Sequence, residues 1–239
     1  MNNSIRRIIS LVVIIMPLMA VAAPPRHGVQ NRPYADMRQL HLGFSVGTHL
    51  PDMTFANSGA TAYDGTVWYA EQPSYSPGFC VGAVGDLRLN NWFNLRFNPG
   101  LCFGNRKISL REASTGETVT QSLKSTLLVL PIDLKFSALR YRNSRPYVSG
   151  GIMPAFDVAK KRNENLMLRT SDIYLTVGLG CDFYLPYSKF IPEVKFCFGL
   201  CDMLRHDRQD LADDPAAMRF THAIRRATSS MIILTFYFE

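Results

Sequence analysis

Apolar and polar residues alternate along most of this chain. In residues 39–50 (QLHLGFSVGTHL), every second side chain from Leu40 to Val46 is apolar. A period of two is that of a β-strand, in which successive side chains point to opposite faces. Eight segments share this period: 39–50, 79–89, 93–104, 123–136, 145–158, 171–185, 190–200 and 228–238. The alternation predicts an all-β fold with eight strands.

The residues on the polar face separate a membrane barrel from a soluble sandwich. This face is rich in Gly, Ser, Asn, Asp and Arg, whereas the exposed face of a soluble sheet is typically rich in Lys, Glu and Thr. A membrane barrel turns its apolar face to lipid and its polar face to the lumen, and its strands must close into a ring. The sequence therefore predicts an eight-stranded antiparallel transmembrane up-and-down β-barrel.

Short and long connections alternate between the predicted strands. The short ones lie at Asn90–Asn91, 137–144 and 186–189, and the long ones at 51–77, 105–121, 159–170 and 201–223. In bacterial outer-membrane barrels the short turns face the periplasm. We therefore expect a cell outer-membrane protein with both termini in the periplasm.

Aromatic residues cluster beside these short turns, which favours an interfacial girdle. They are Trp92, Phe93, Phe136, Tyr141, Tyr147, Tyr184, Tyr187, Phe190, Phe236, Tyr237 and Phe238. Four prolines inside predicted strands oppose the strand assignment, since proline cannot donate to a ladder: Pro99, Pro131, Pro154 and Pro192. Bulges or strand extensions beyond the bilayer are the two ways to accommodate them.

The chain divides into three parts. Residues 1–22 have the pattern of a signal peptide, with Arg6 and Arg7 before an apolar stretch that is too short for a membrane anchor. Residues 23–38 are polar and lack a period, which indicates an N-terminal periplasmic tail, and residues 39–239 form the predicted barrel. Beyond residue 22 no apolar run approaches the ~20 residues of a membrane helix.

Charge and cysteine content exclude several function classes. The formal net charge is +7, and it is +5 without the two arginines of the signal peptide. The basic residues are spread along the chain and form no basic stripe, so no nucleic-acid partner is expected. The five cysteines include no C-x-x-C pair, which argues against a zinc ribbon or a thioredoxin-type centre.

Two groups of polar residues raise the question of catalysis or cation binding. His41, Ser45 and His49 share one strand face, and the loop 201–214 combines His206 with Asp202, Asp207, Asp210, Asp213 and Asp214. The calcium-loop spacing, H-E-x-x-H and G-x-S-x-G are all absent. We interpret the loop as extracellular and solvated, and expect no enzyme activity, cofactor, metal or small-molecule substrate.

The hairpin between the second and third predicted strands has a definable register. Leu89 and Phe93 both belong to the apolar face, so a three-residue loop places them opposite each other, and the residue numbers of facing pairs then sum to 182. On the lumen side, Asp86 faces Arg96 and Cys80 faces Cys102. The first pair would satisfy two buried charges. The second is compatible with either a disulfide or two thiols.

The predicted lumen is narrow and crowded. Eight strands leave an interior just wide enough for side chains, and this one would contain Tyr174, Tyr184, Arg88 and Arg96. Its inward charges mix both signs and must pair: Asp86, Arg88, Arg96, Asp133, Lys135, Asp182, Glu193 and Lys195. The barrel is therefore not expected to conduct folded cargo.

Several stretches, in order along nearly the whole mature chain, resemble the PorT family of outer-membrane barrels from Bacteroidetes, which is associated with type IX secretion and gliding. They are NRPYADMRQLHLGFSVG (31–47), PGFCVGAVGDLRLNNWFNLRFNPGLCFGNR (77–106), STLLVLPIDLKF (125–136), RPYVSGG (145–151), CDFYLPYSKFIPEVKFCFGL (181–200) and SSMIILTFYFE (229–239). One position departs from the family: Val129 stands where relatives usually carry Glu.

The resemblance implies a membrane component needed to export proteins that bear a C-terminal sorting domain. Its partners would then be the lipid bilayer and other secretion-system proteins. It implies no catalytic residues. The alternatives are a small structural or adhesion barrel without a secretion role and, third, a barrel enzyme.

Overall fold

The computed structural model describes residues 30–57, 68–71, 76–112, 118–159, 169–203 and 224–239. These residues form one antiparallel sheet of eleven strands and a short 3₁₀ helix, Ala35–Met37. The strands are β1 (Leu40–Asn57), β2 (Trp68–Glu71), β3 (Gly78–Arg88), β4 (Phe93–Phe97), β5 (Gly100–Glu112), β6 (Thr118–Val129), β7 (Ile132–Ser137), β8 (Ser144–Asp157), β9 (Ser171–Tyr184), β10 (Lys189–Gly199) and β11 (Ile224–Phe238). None of the described helical residues belongs to a helix long and apolar enough to cross a membrane.

The sheet closes on itself, and its strands occupy eight positions around the ring. β4 and β5 both pair with β3, and the residue numbers of every facing pair sum to 182. β4 and β5 are therefore one span that is interrupted at Asn98 and Pro99. β6 and β7 both pair with β8, and the residue numbers of their facing pairs sum to 284, so they also form one span. β2 pairs with the end of β5. The contacts of β1 with β11 and of β8 with β9 complete the ring, which confirms the predicted closed barrel, although the described residues form eleven strands and not eight.

Prolines cause the interruptions without shifting the register. Pro99, Pro131 and Pro154 lie side by side on neighbouring spans, and their carbonyls accept backbone hydrogen bonds of 3.0, 3.2 and 2.9 Å. A proline lacks the N–H donor but keeps the acceptor. The ladder therefore continues past each proline in register, so these prolines need no bulge.

The first described hairpin has the predicted register. Asp86 pairs with Arg96, Leu87 with Leu95, and Cys80 with Cys102. At the turn, the Asn90 side-chain oxygen accepts hydrogen bonds from the N–H groups of Trp92 (2.8 Å) and Phe93 (2.7 Å). An Asn side chain that bonds to its own backbone stabilises a tight turn.

The two faces of the barrel invert the order of a soluble protein. Outward side chains are apolar and exposed, such as Leu42 at 70%, whereas the inward Arg96 is fully buried at 0%. Outward aromatic rings stack near the short turns, as Phe44 does on Phe238 at 5.0 Å. Of the predicted girdle, however, Tyr147, Tyr184 and Tyr237 lie inside the lumen. The strand period turns them inward, as the lumen prediction for Tyr184 stated, and proximity to a turn alone does not reveal this.

Two of the predicted long loops are shorter than expected. β1 continues to Asn57, β5 to Glu112, and β6 begins at Thr118, so the predicted loop 105–121 is wrong at 105–112 and 118–121, and its residues 113–117 lie outside the described residues. Where a strand extends beyond the apolar belt, its outward side chains no longer have to be apolar. The alternation of apolar and polar residues is therefore lost there, although the backbone pairing continues. The predicted signal peptide, residues 1–22, lies outside the described residues.

Candidate functional site in the barrel lumen

We call the end of the barrel that carries the short turns the turn end. Charged side chains fill the half of the lumen at this end. They project inward because alternate strand residues face the lumen, and all of them are buried in ion pairs. The members of this lumen network are Asp86, Arg96, Asp133, Lys135, Asp182, Lys189, Glu193, Lys195 and Glu239.

Arg96 connects the most distant parts of this network. Its guanidinium contacts the carboxylates of Asp86 and Glu193, each at 3.0 Å. It also donates to the Tyr147 hydroxyl at 3.1 Å and lies over the Tyr237 ring at 4.5 Å. The Asp86–Arg96 pair follows from the hairpin register. Glu193 lies across the lumen and was not predicted as a partner, since strand pairing relates only neighbouring strands.

The lysines of the network complete the pairing. Lys135 contacts Asp182 at 2.7 Å, and Lys189 contacts Glu239 at 2.9 Å. Lys195 contacts Asp133 at 2.5 Å and Glu193 at 3.3 Å. A buried charge is tolerated only when it is paired, and each member of the network has an oppositely charged neighbour. It leaves side chains, not solvent, in the middle of the barrel.

The other half of the lumen is closed by sulfur-containing and apolar side chains. Cys80 and Cys102 form a disulfide between facing spans. Around it the buried cluster includes Met153, Tyr174 and Met231. A cavity of about 30 Å³ beside the disulfide holds at most a few waters. Val129, the position that departs from the resembling family, lines this cavity.

The three polar residues of β1 make separate contacts. His41 Nε2 lies 2.8 Å from the Ala35 carbonyl, Ser45 donates to the Asn98 side chain at 2.9 Å, and His49 Nδ1 lies 3.3 Å from Cys80 Sγ. Each residue thus contacts a different partner along the strand. In the loop 201–214, Asp202 accepts a hydrogen bond from the Ala227 N–H at 3.1 Å, while His206, Asp207, Asp210, Asp213 and Asp214 lie outside the described residues.

The second part of the predicted tail packs against the turn end. We call residues 31–38 the rim segment. The Asn31 N–H donates to Asn143 at 2.9 Å, and Asp36 pairs with Arg140 at 3.4 Å and Arg145 at 3.5 Å. Tyr184 donates to the same Asp36 carboxylate. Polarity and the lack of a period indicated an irregular tail, but these partners from distant turns give the segment a defined place.

Comparisons with known proteins agree with this architecture. A family model described as "Outer membrane protein beta-barrel domain" matches residues 29–205. The crystal structure of the outer membrane protein OprG from Pseudomonas aeruginosa has the same fold at a TM-score of 0.51, with 14% identity over 83% of this chain and 93% of that chain.

A second solved structure, the N-terminal β-barrel domain of Pseudomonas aeruginosa OprF, aligns at a TM-score of 0.37, with 11% identity over 81% of this chain and 96% of that chain. No curated protein matches the chain.

Proposed function

The chain belongs to the family of outer membrane protein β-barrel domains, and from that premise we propose that it is an accessory or assembly component of type IX protein secretion and not the conduit for cargo. As an outer-membrane barrel it is embedded in the lipid bilayer. The proposal includes no catalytic activity and no cofactor.

The packed lumen supports the proposal that the barrel is not the conduit for cargo. Arg96, Lys135, Glu193 and their partners occupy the barrel centre and are almost completely buried. Opening a polypeptide-sized path would require breaking several buried ion pairs, each of which leaves uncompensated charges. A protein with such an interior acts through its surfaces.

The secretion role is supported by the sequence stretches that resemble the PorT family, from 31–47 to 229–239. The rim segment belongs to the first of these stretches and is held in place by Arg140 and Arg145. We propose that the turn end faces the periplasm and presents this rim to secretion-system proteins.

Exposed apolar side chains at the turn end suit such a contact. Tyr187 is 97% exposed and Leu139 is 73% exposed, each in a short turn beyond the strand ends. Aromatic residues such as tyrosine are enriched at protein interfaces relative to the rest of the surface. We therefore expect the partner to contact these turns together with the rim segment.

A deletion strain tests the proposal. Without the protein, cargo with a C-terminal sorting domain should disappear from the medium and accumulate in the cell, and the wild-type gene should restore export. A normal secretome combined with a weakened envelope would contradict the secretion role and favour the alternative, a structural or adhesion barrel.

A pair of variants then separates rim contact from barrel assembly. Tyr187→Ser should reduce export and co-purification of secretion components, while the barrel still reaches the outer membrane in normal amount. Ser188→Ala, in the same turn, serves as the matched control and should leave both unchanged. Equal export by the two variants would exclude this turn as the contact.

A further inference from the structure

Three potential metal ligands converge on one side of the lumen. His49 lies on β1, Cys80 on β3 and Cys102 on β5, which are consecutive positions of the ring. The His49 Nδ1 atom is 3.3 Å from Cys80 Sγ. One ligand atom from each of the three residues lies within 4.8 Å of the others. None of the three residues is among the nine members of the lumen network named above.

Glycines shape the space that the imidazole occupies. A side chain on Gly104 would place its Cβ 3.0 Å from His49 Nε2, and one on Gly78 would place it 2.7 Å from the same atom. Both distances are shorter than ordinary contacts. The absence of side chains at these two positions therefore creates the slot that keeps His49 directed at the cysteines.

Beside the sulfur atoms there is room for one further ligand. The cavity of about 30 Å³ is lined by Cys80 and Cys102. Its polar lining also includes Ser45 and Asn98. A water needs roughly 10–15 Å³ of such space and several polar partners. Two thiolates, one imidazole and one water make up the tetrahedral ligand set of an open zinc site.

We propose that the dithiol form of this protein binds one Zn²⁺ through His49, Cys80 and Cys102, and that this metal-bound state and the disulfide exclude each other. On binding, the two thiols release two protons and form two Zn–S bonds of about 2.3 Å. The sulfur atoms of a tetrahedral zinc site are then roughly 3.8 Å apart, so no S–S bond exists.

The test uses the full barrel in detergent micelles, with Cys181, Cys197 and Cys201 replaced by Ala so that only the two lumen cysteines remain. A water-soluble phosphine reduces the disulfide. The disulfide gains two electrons and two protons to give two thiols, and the phosphine takes an oxygen from water to give the phosphine oxide. After the phosphine is removed without air, Co²⁺ is titrated as a spectroscopic probe and then displaced by Zn²⁺.

We expect one Co²⁺ per folded dithiol barrel, with thiolate-to-cobalt charge-transfer absorption that Zn²⁺ abolishes, and no binding by the disulfide form. His49→Gln should weaken binding by at least about 10-fold because one of three protein ligands is lost. His41→Gln, at the other lumen histidine of β1, is the matched control and should bind normally.

Gly104→Ala provides a second variant if His49→Gln does not fold, since the added methyl would displace the imidazole and weaken binding in the same way. The proposal is overturned if the folded dithiol barrel binds no metal at one equivalent. It is equally overturned if His49→Gln or Gly104→Ala binds as tightly as the parent, or if the disulfide form binds the same amount.

Discussion

Arg96 shows how one residue determines the character of the lumen. Its guanidinium lies between Asp86 and Glu193, which belong to opposite sides of the ring, and aromatic rings of Tyr147 and Tyr237 flank it. Without Arg96, Asp86 would keep only the more distant Lys135 at 3.8 Å, and Glu193 would keep only Lys195 at 3.3 Å, among the described residues. The stability of the pair therefore depends on keeping the cation in place.

Replacing Arg96 by Met should lower the free energy of unfolding by about 3–5 kcal/mol, because two buried carboxylates each lose their nearest cation. The measurement is urea-induced unfolding of the barrel in micelles. Arg88→Met is the control: Arg88, predicted as a lumen charge, instead bonds to Asn91 in an exposed turn at 2.5 Å, so its loss should change the value by no more than about 0.5 kcal/mol. Equal stability of the two variants would mean that the lumen charges are solvated.

At the scale of single strands, β8 contains two adjacent glycines with opposite environments. Gly151 faces the lumen, and a Cβ there would collide with the backbone of Ile132 and with Asp133 on β7. Gly150 faces outward, and a Cβ there would meet only the Thr176 carbonyl at 3.8 Å, an ordinary contact. The close approach of β7 and β8 thus depends on one of the two glycines.

Gly151→Ala should therefore destabilise the barrel by about 1–3 kcal/mol, the usual effect of overpacking, because two backbones must move apart. Gly150→Ala should stay within about 0.5 kcal/mol of the parent. The fraction folded at a fixed urea concentration, read from heat-modifiable gel mobility, compares them. If the two variants unfold alike, the predicted tight β7–β8 contact is absent.

For the molecule as a whole, a filled interior predicts its electrical behaviour. The lumen network closes the turn end, and the disulfide with Met153 and Tyr174 closes the other half. Planar-bilayer recordings of the purified protein should show no large, stable conductance. Such a conductance would contradict the packed lumen and reopen the question of a conduit.

The orientation in the membrane is a second property of the whole molecule. The proposed orientation, with the short turns facing the periplasm, places residues 23–38 inside the cell envelope and the connections within 51–77 and 201–223 on the cell surface. Protease added to intact cells should cut within these two connections and spare 23–38. Cleavage of 23–38 from outside would reverse the orientation.

The inward or outward direction of most residues, the closed all-β fold and the register of the first hairpin could be predicted from the sequence. Each depends on strand period or on a short turn, which relate residues close together in the chain. Asp86 and Arg96 are such a pair, ten residues apart.

The contacts across the lumen depend on how the ring closes. Arg96 meets Glu193 at a separation of 97 residues, and Arg140 meets Asp36 at 104. Neither contact follows from the pairing of adjacent strands. Each strand of a barrel is shifted along its neighbour, and the sum of these shifts around the eight positions determines which side chains lie at the same height in the lumen. Periodicity therefore identifies the residues that enter the lumen, and closure of the barrel selects their partners.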